Sequence, residues 1–364
     1  PSVSASFIPT SAFPEIKSDV INFLKIRAGY GTSANFPFGY PISATLNLDT
    51  QSFIKNGGYI ISNTSGSVLG NPNLKPERID EIEFGVEGRF LNNRLRMDLS
   101  IYNKKTNDLI IDRPLDPSTG YTLTKTNIGL IENKGIELDL SMDWIQSNEG
   151  INLSTSLNWS TNDAIVIDLG EDTDRIVYAG FGTLGNAAIP GESLGSIIGS
   201  SITRSGATIE ASRWVGGDGG LVVNNQGSYD ETFDPTIIGD ANPDWIANIS
   251  NNVSYKNLSL NFLFNFQAGG DIYSTTVATL LGRGLTTDTL DRELSFILPG
   301  VNNGQPNNKQ INNSTFYFSN VLYGPDEMRM YDATHWRLGE VSISYSFPKS
   351  LIDNTPFGNI SITA

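Results

Sequence analysis

Strict polar–apolar alternation, held over ten residues and more, is what most constrains this chain. In 136–144, IELDLSMDW, Ile136, Leu138, Leu140, Met142 and Trp144 share one face of an extended backbone. Glu137, Asp139, Ser141 and Asp143 share the other. Over 79–90, Ile82, Phe84, Val86, Gly88 and Phe90 oppose Glu81, Glu83, Gly85, Glu87 and Arg89 in the same way. Alternating runs recur at 1–9, 21–33, 79–90, 93–104, 131–144, 151–160, 246–255, 258–268, 336–347 and 358–364, and helix-period patterns are nearly absent. Most runs are about 9–13 residues, whereas ordinary strands average about 5–6 and a tilted membrane-crossing strand needs about 9–11. The pattern predicts an all-β, antiparallel fold and serves either a soluble sandwich or a membrane barrel.

The connections separate those two. Short ones fall near 10–20, 91–92, 145–150, 256–257 and 348–357, and long ones at 34–78, 105–130, 161–245 and 269–335. Short and long in alternation put tight turns on one rim and large loops on the other, as in an up-and-down transmembrane β-barrel. No apolar run approaches the roughly 20 residues of a membrane helix, a test to which barrels are invisible. Lys256-Asn257 reads as a two-residue hairpin loop. It predicts Tyr255 opposite Leu258, Val253 opposite Leu260 and Ile249 opposite Phe264 on the apolar face, with Asn252 opposite Asn261 and Asn248 opposite Asn265 on the polar one. A Leu91-Asn92 loop predicts Val86 opposite Met97 and Glu87 opposite Arg96. Phe90, Trp144, Tyr255 and Tyr345 lie beside short turns and Tyr30, Trp159 and Trp245 beside long loops, as two interfacial belts require. Tyr102 and Trp336 fall on the polar face and break the pattern. A polar face so rich in Glu, Asp, Arg and Asn suits a wide lumen, watered or plugged.

Composition excludes several function classes. The 364 residues carry 24 Lys plus Arg against 39 Asp plus Glu, a net charge near −15. That argues against a nucleic-acid partner, which wants a basic stripe. There is no cysteine and one histidine, His335, which rules out disulfides, Cys-ligated zinc and His-rich metal sites. The run Trp214-Val215-Gly216-Gly217-Asp218-Gly219-Gly220 keeps one carboxylate, too few for calcium, and lacks the lysine of a phosphate loop. The acidic stretch 170–174 reads as a solvated loop, and His335 as a packing residue at a strand mouth. No catalytic set, metal or cofactor is expected. Residues 1–10 have neither the basic nor the apolar region of a signal peptide. Both ends read as lying within strands, so a piece of a longer chain is expected.

Several motifs point to a family. Asn71-Pro72-Asn73-Leu74-Lys75-Pro76-Glu77 resembles the N-P-x-L-K-P-E run of TonB-dependent outer-membrane transporters. Residues 23–31, FLKIRAGYG, resemble the L-K-x-R-x-x-Y-G strand, and 133–137, NKGIE, the N-K-G-x-E strand start. Gly239-Asp240-Ala241-Asn242-Pro243-Asp244-Trp245 resembles the G-x-x-N-P-D-aromatic turn. Trp336-Arg337-Leu338 through Tyr345 resembles the late R-L-x-x-x-x-S-Y strand. In this order, over essentially the whole chain, they resemble the SusC/RagA family of nutrient importers from Bacteroidota outer membranes.

The resemblance implies a multi-pass barrel of roughly 22 strands with a plugged lumen. Residues 1–364 would be its C-terminal portion, without the plug or the final strand. It implies TonB-dependent import of an oligosaccharide or oligopeptide, with a SusD-like lipoprotein lid, outer-membrane lipid around the wall, and TonB engaging a segment outside this chain. Asn71, Pro72, Leu74, Lys75, Pro76, Glu77, Asn242, Pro243, Asp244 and Trp245 are expected to shape turns. Contacts to cargo are expected from aromatics in the long loops: Tyr121, Tyr178, Phe181, Trp214, Tyr229, Phe233, Phe318 and Tyr323. Two other readings stay open: a TonB-dependent siderophore or cobalamin receptor, and a soluble all-β binding or adhesion module.

Overall fold

All ten alternating runs lie in one antiparallel sheet, in chain order. The computed structural model describes residues 1–37, 42–43, 46–55, 58–148, 150–170, 173–205, 220–353 and 355–364. The wall strands are β1 (Ser2–Phe7), β2 (Ile21–Asn35), β3 (Glu77–Phe90), β4 (Leu95–Pro114), β5 (Leu123–Ile145), β6 (Ile151–Asp168), β7 (Trp245–Tyr255), β8 (Leu258–Ala268), β9 (His335–Ser346) and β10 (Ser361–Thr363). Each pairs with its neighbours in sequence, and β1 and β10 do not pair with each other. The sheet is therefore an open meander.

The apolar residues meet row by row. Ile26, Val86, Leu99, Leu138 and Trp159 are successive cross-strand partners, and the row continues through Ala247 and Phe266 to Trp336. Cross-strand contacts of this kind are the unit of sheet cohesion. Large side chains on this face stand in the open: Ile26, Ile82, Phe84, Ile101, Tyr255, Leu260 and Ile343 are all exposed. A soluble protein would bury such a face. Buried apolar clusters occur instead above the long-loop rim. One joins Ile128, Ile131, Val166, Leu169, Ile176 and Ala188. The others centre on Ile202, Ala278, Val321 and Met328, and on Val223, Leu298 and Ile311.

The β7–β8 register agrees with the sequence at every predicted pair, with Lys256 at φ +52° in the turn. Three other expectations need correction. The β3–β4 turn holds four residues, 91–94, with Leu91, Asn92 and Asn93 all at positive φ. Val86 therefore meets Leu99, and Glu87 meets Asp98 rather than Arg96. The shift is two residues, so the faces are kept. Lys25, 3.7 Å from Glu87, and Arg89, 3.6 Å away, supply the countercharge instead.

The expected loop 105–130 is mostly strand, since β4 and β5 stay paired as far as Pro114 and Leu123. Asp108, at φ +54°, stands opposite Gly129 between the pairs Asn107–Leu130 and Leu109–Ile128, and the register continues unchanged past them. Beyond it, Leu109 and Ile111 pack on the cluster around Ile128. Trp336 is on the apolar face, not the polar one. The β8–β9 register slips between the pairs Leu263–Glu340 and Phe264–Leu338, leaving Gly339 unpaired. One bulged residue flips parity, so Trp336 pairs with Phe266 and is 70% exposed. It joins the upper aromatic belt.

Tyr102 does face the polar side, and the reason is local. It pairs with Gly135, where a Cβ would overlap its ring. The glycine of the Asn133-Lys134-Gly135 run is the seat of that ring.

Candidate functional site

The polar face has two sectors. On β2–β5 it is ionic. Arg27 holds Asp98 through two N–H donors at 2.9 and 2.7 Å, Ser100 Oγ at 2.6 Å and Glu83 at 3.4 Å. Gly85 sits where any Cβ would strike this guanidinium. Arg96 reaches Asp143 at 3.1 Å. Glu81, Glu137 and Asp139 face the same side with no cation paired to them among the described residues. From the lower half of β5 across to β8 the face is a ladder of Ser and Asn. Asn252 donates to Asn261, Asn265 to Asn248 at 2.5 Å, and Ser141 lies 3.2 Å from Ser156. Half-exposed ion pairs contribute about 0–1 kcal/mol each, so this network orients side chains more than it stabilises the sheet.

The Asn71–Glu77 run lies along the β4–β5 extension. Asn71 Nδ2 donates to the Lys125 carbonyl at 2.9 Å, and its Oδ1 accepts from Asn73 N at 3.0 Å. Asn127 clasps Lys75 from both sides, accepting from its N–H at 2.8 Å and donating to its carbonyl at 2.8 Å. It also donates to the Asp108 carbonyl at 2.7 Å. Glu77 is buried, accepting from Asn35 at 2.8 Å and Ile110 N at 3.2 Å. Pro72 and Pro76 preset the backbone of the turn, and Leu74 N closes onto Asn71 O at 3.3 Å. Asn127→Ala is expected to cost about 1–3 kcal/mol locally by orphaning these groups. Faster protease nicking between 66 and 76 with unchanged barrel assembly is the readout.

The second motif joins loop to wall. Asn242 N donates to Asp240 Oδ1 at 2.9 Å and its amide to Ser193 Oγ at 3.0 Å. Asp244 O accepts from Thr161 at 2.7 Å. Pro243, Trp245 and Tyr178 line a recess of about 530 Å³ at this junction, with Asn133 and Asn162 from the wall. The Tyr178 phenol donates to the Leu194 carbonyl, and burial pushes its pKa up.

The other candidate aromatics are dispersed. Tyr229 is packed between two apolar clusters, with its N–H on Asn320 Oδ1 at 2.7 Å. Phe233 is 76% exposed. Tyr121 sits half-buried at the tip of the β4–β5 hairpin, beside Thr119. Phe318 and Tyr323 come together, edge to face with centroids 5.0 Å apart. Phe181 lies in the strand Ile176–Phe181. Trp214, with the rest of the glycine-rich run up to Gly219, and part of the acidic 170–174 stretch lie outside the described residues. His335 is exposed, with Nδ1 2.8 Å from the Ala333 carbonyl.

Two loops form one platform, and its fasteners carried no sequence signal. Arg204 pairs with Glu327 at 2.6 Å, and Glu327 also accepts from Ile202 N at 3.0 Å. Asp326 takes the Ser200 amide at 3.2 Å and the Tyr273 hydroxyl at 3.0 Å. Arg329 donates to the carbonyls of Val321, Leu322 and Gly324 at 3.0, 2.9 and 3.0 Å, and to Tyr273 at 2.7 Å.

The family model for the TonB-dependent receptor-like β-barrel matches residues 1–197, more than half of the chain. TonB-dependent receptor P3 of Formosa agariphila is 27% identical over 354 residues, covering 93% of this chain and 34% of that protein. TonB-dependent receptor SusC of Bacteroides thetaiotaomicron is 26% identical over 168 residues, 44% of this chain and 17% of that protein. Among solved structures, the RagAB peptide transporter superposes with a TM-score of 0.69 at 21% identity, covering 100% of this chain and 39% of that one. The chain thus spans about a third of the length of P3. With its outward apolar face and polar inner face, the chain belongs to the TonB-dependent receptor β-barrel family of the bacterial outer membrane.

Proposed function

We propose that this chain supplies wall and external loops to a TonB-dependent importer of a large polar nutrient, an oligosaccharide or oligopeptide. The observation that carries the reading is the inverted sheet: apolar side chains point outward with no cover, and ions and amides point inward. Its ten strands would be one arc of a barrel of roughly 22, closed by strands outside this chain and filled by a plug. A barrel that wide needs a plug to stay selective, and moving a plug needs energy. TonB acting on a segment outside this chain would supply it. A SusD-like lipoprotein would cap the loop rim, where the aromatics and the two-loop platform lie. The likeness to SusC and to the RagAB peptide transporter supports this assignment of class.

The parent polypeptide, extracted from outer membrane in detergent, is expected to co-purify with a lipoprotein. Uptake of its nutrient by whole cells is expected to stop when a proton uncoupler is added. A detergent-independent, soluble product, or uptake indifferent to the uncoupler, would overturn the reading.

A further inference from the structure

The 269–334 loop carries a cleft of about 340 Å³ on the outer rim, within the range of small-ligand sites. Arg283 and Arg292 both line it, with Phe318 and Thr315. We infer that this cleft binds the acid group of an anionic oligosaccharide, the cargo class of the import reading on which the inference rests.

The argument begins with charge. In a chain with 39 acidic residues against 24 basic ones, arginines are expected to find carboxylates. The structural arginines of the two-loop platform do: Arg204 holds Glu327, and Arg329 holds Asp326. Arg283 and Arg292 do not. Asp288, Asp291 and Glu293 are close in sequence, yet neither guanidinium is paired with a carboxylate among the described residues. Among the described residues each guanidinium makes a single hydrogen bond. Arg283 Nη2 donates to the Tyr323 hydroxyl at 3.2 Å, and Arg292 Nη2 donates to the Gly284 carbonyl at 3.3 Å. Those bonds aim the two planes and leave most of their N–H donors free. A guanidinium has five donors in a fixed fork that matches a carboxylate or sulfate with two parallel bonds.

The rest of the lining decides between a sugar acid and a peptide. Extended peptides are usually gripped by an open strand edge. Here the walls come from the helix Thr275–Gly282, the turn after it, the 3-10 turn Thr287–Thr289 and the helix Asn313–Phe316, with no strand among them. Phe318 is exposed and held edge-on by Tyr323, so its ring can cover the apolar face of a pyranose. Among the described residues the Thr315 hydroxyl makes no hydrogen bond, its backbone N–H alone donating to Asn312 Oδ1, and it is available to a sugar hydroxyl.

The test uses the full-length parent protein in detergent and isothermal titration with four probes. These are trigalacturonate, its methyl ester, a chondroitin sulfate tetrasaccharide and triglutamate. Binding is expected for trigalacturonate or the chondroitin fragment, which separates carboxylate from sulfate as the anion. The methyl ester is expected to bind at least tenfold more weakly than the acid. R283Q and R292Q are each expected to weaken the acid probe about tenfold and the pair about a hundredfold, with the loss shrinking as salt rises. Heat-modifiable gel migration reports that each variant is still a barrel.

Equal binding of acid and ester, preference for triglutamate, wild-type affinity in the folded double variant, or no binding of either anionic sugar overturns the inference. Whole-cell uptake with and without uncoupler is measured separately. Binding that survives while uptake ignores the uncoupler removes the import reading and leaves the cleft.

Discussion

Arg329→Met is expected to loosen the whole two-loop platform while the wall stays assembled. The guanidinium reaches three carbonyls of the 321–324 turn, Tyr273 and Asp326. Asp326 in turn holds Ser200 in the neighbouring loop. Methionine fills similar volume but leaves these acceptors dry and Asp326 without its cation. Breaking one partner of a fully buried, hydrogen-bonded pair costs about 3–5 kcal/mol, and this pair, with both side chains mostly covered, is expected to lose somewhat less. That is a large fraction of the stability of one loop domain, whereas the sheet draws its cohesion elsewhere. Limited proteolysis should show rapid cleavage within 269–334 and in the Ser196–Ile202 region, with heat-modifiable migration of the barrel retained. Unchanged protease resistance would sink the assignment of Arg329 as the fastener. Glu327→Gln is expected to act in the same direction and more weakly, because it keeps the hydrogen-bonding shape opposite Arg204.

The second large effect separates membrane barrel from soluble sheet. Ile249 and Ser250 are neighbours near the middle of β7, on opposite faces. Ile249→Arg should disfavour insertion by about 2–4 kcal/mol, the cost of an arginine facing lipid near the midplane. Ser250→Arg should change folding little, since its side chain enters a wide polar lumen. Folding into phospholipid vesicles, read by the fraction that becomes heat-modifiable across a urea series, gives both values. Equal effects at the two positions would contradict the assignment of faces.

How much of this was readable from the chain follows from where each residue's environment repeats. The β7–β8 hairpin was read pair for pair, because Tyr255 to Leu258 is tight and both faces are uniform. The Leu91-Asn92 turn is two residues longer than its sequence suggests, since three consecutive positive-φ residues have no fixed sequence signature outside glycine. The strands also run further than their alternation. Gly339 adds a residue to one strand only, and a bulge is a property of the pair. Trp336 was placed on the wrong face for that reason alone.

The motif residues were visible as turn formers, but Asn127, which clasps Lys75 from 52 residues away, was not. Nor were Arg283 and Arg292, because an unpaired arginine is defined by the absence of a carboxylate in three dimensions. Tyr178 and Tyr229, candidate cargo contacts in the sequence, also pack against the buried clusters of their loops, which no local pattern announces.

The sequence by itself determined the β architecture, the order of the strands, which rim carries the loops and which side chains face outward. A period of two fixes all of these locally, and one face must meet lipid along its whole length. Only the tertiary structure decided the ion network around Arg27, the platform joined through Asp326, Glu327 and Arg329, and the open guanidinium groups of Arg283 and Arg292 in their cleft. Those depend on residues from separate strands and loops meeting at distances of a few ångströms, and no local pattern encodes that meeting.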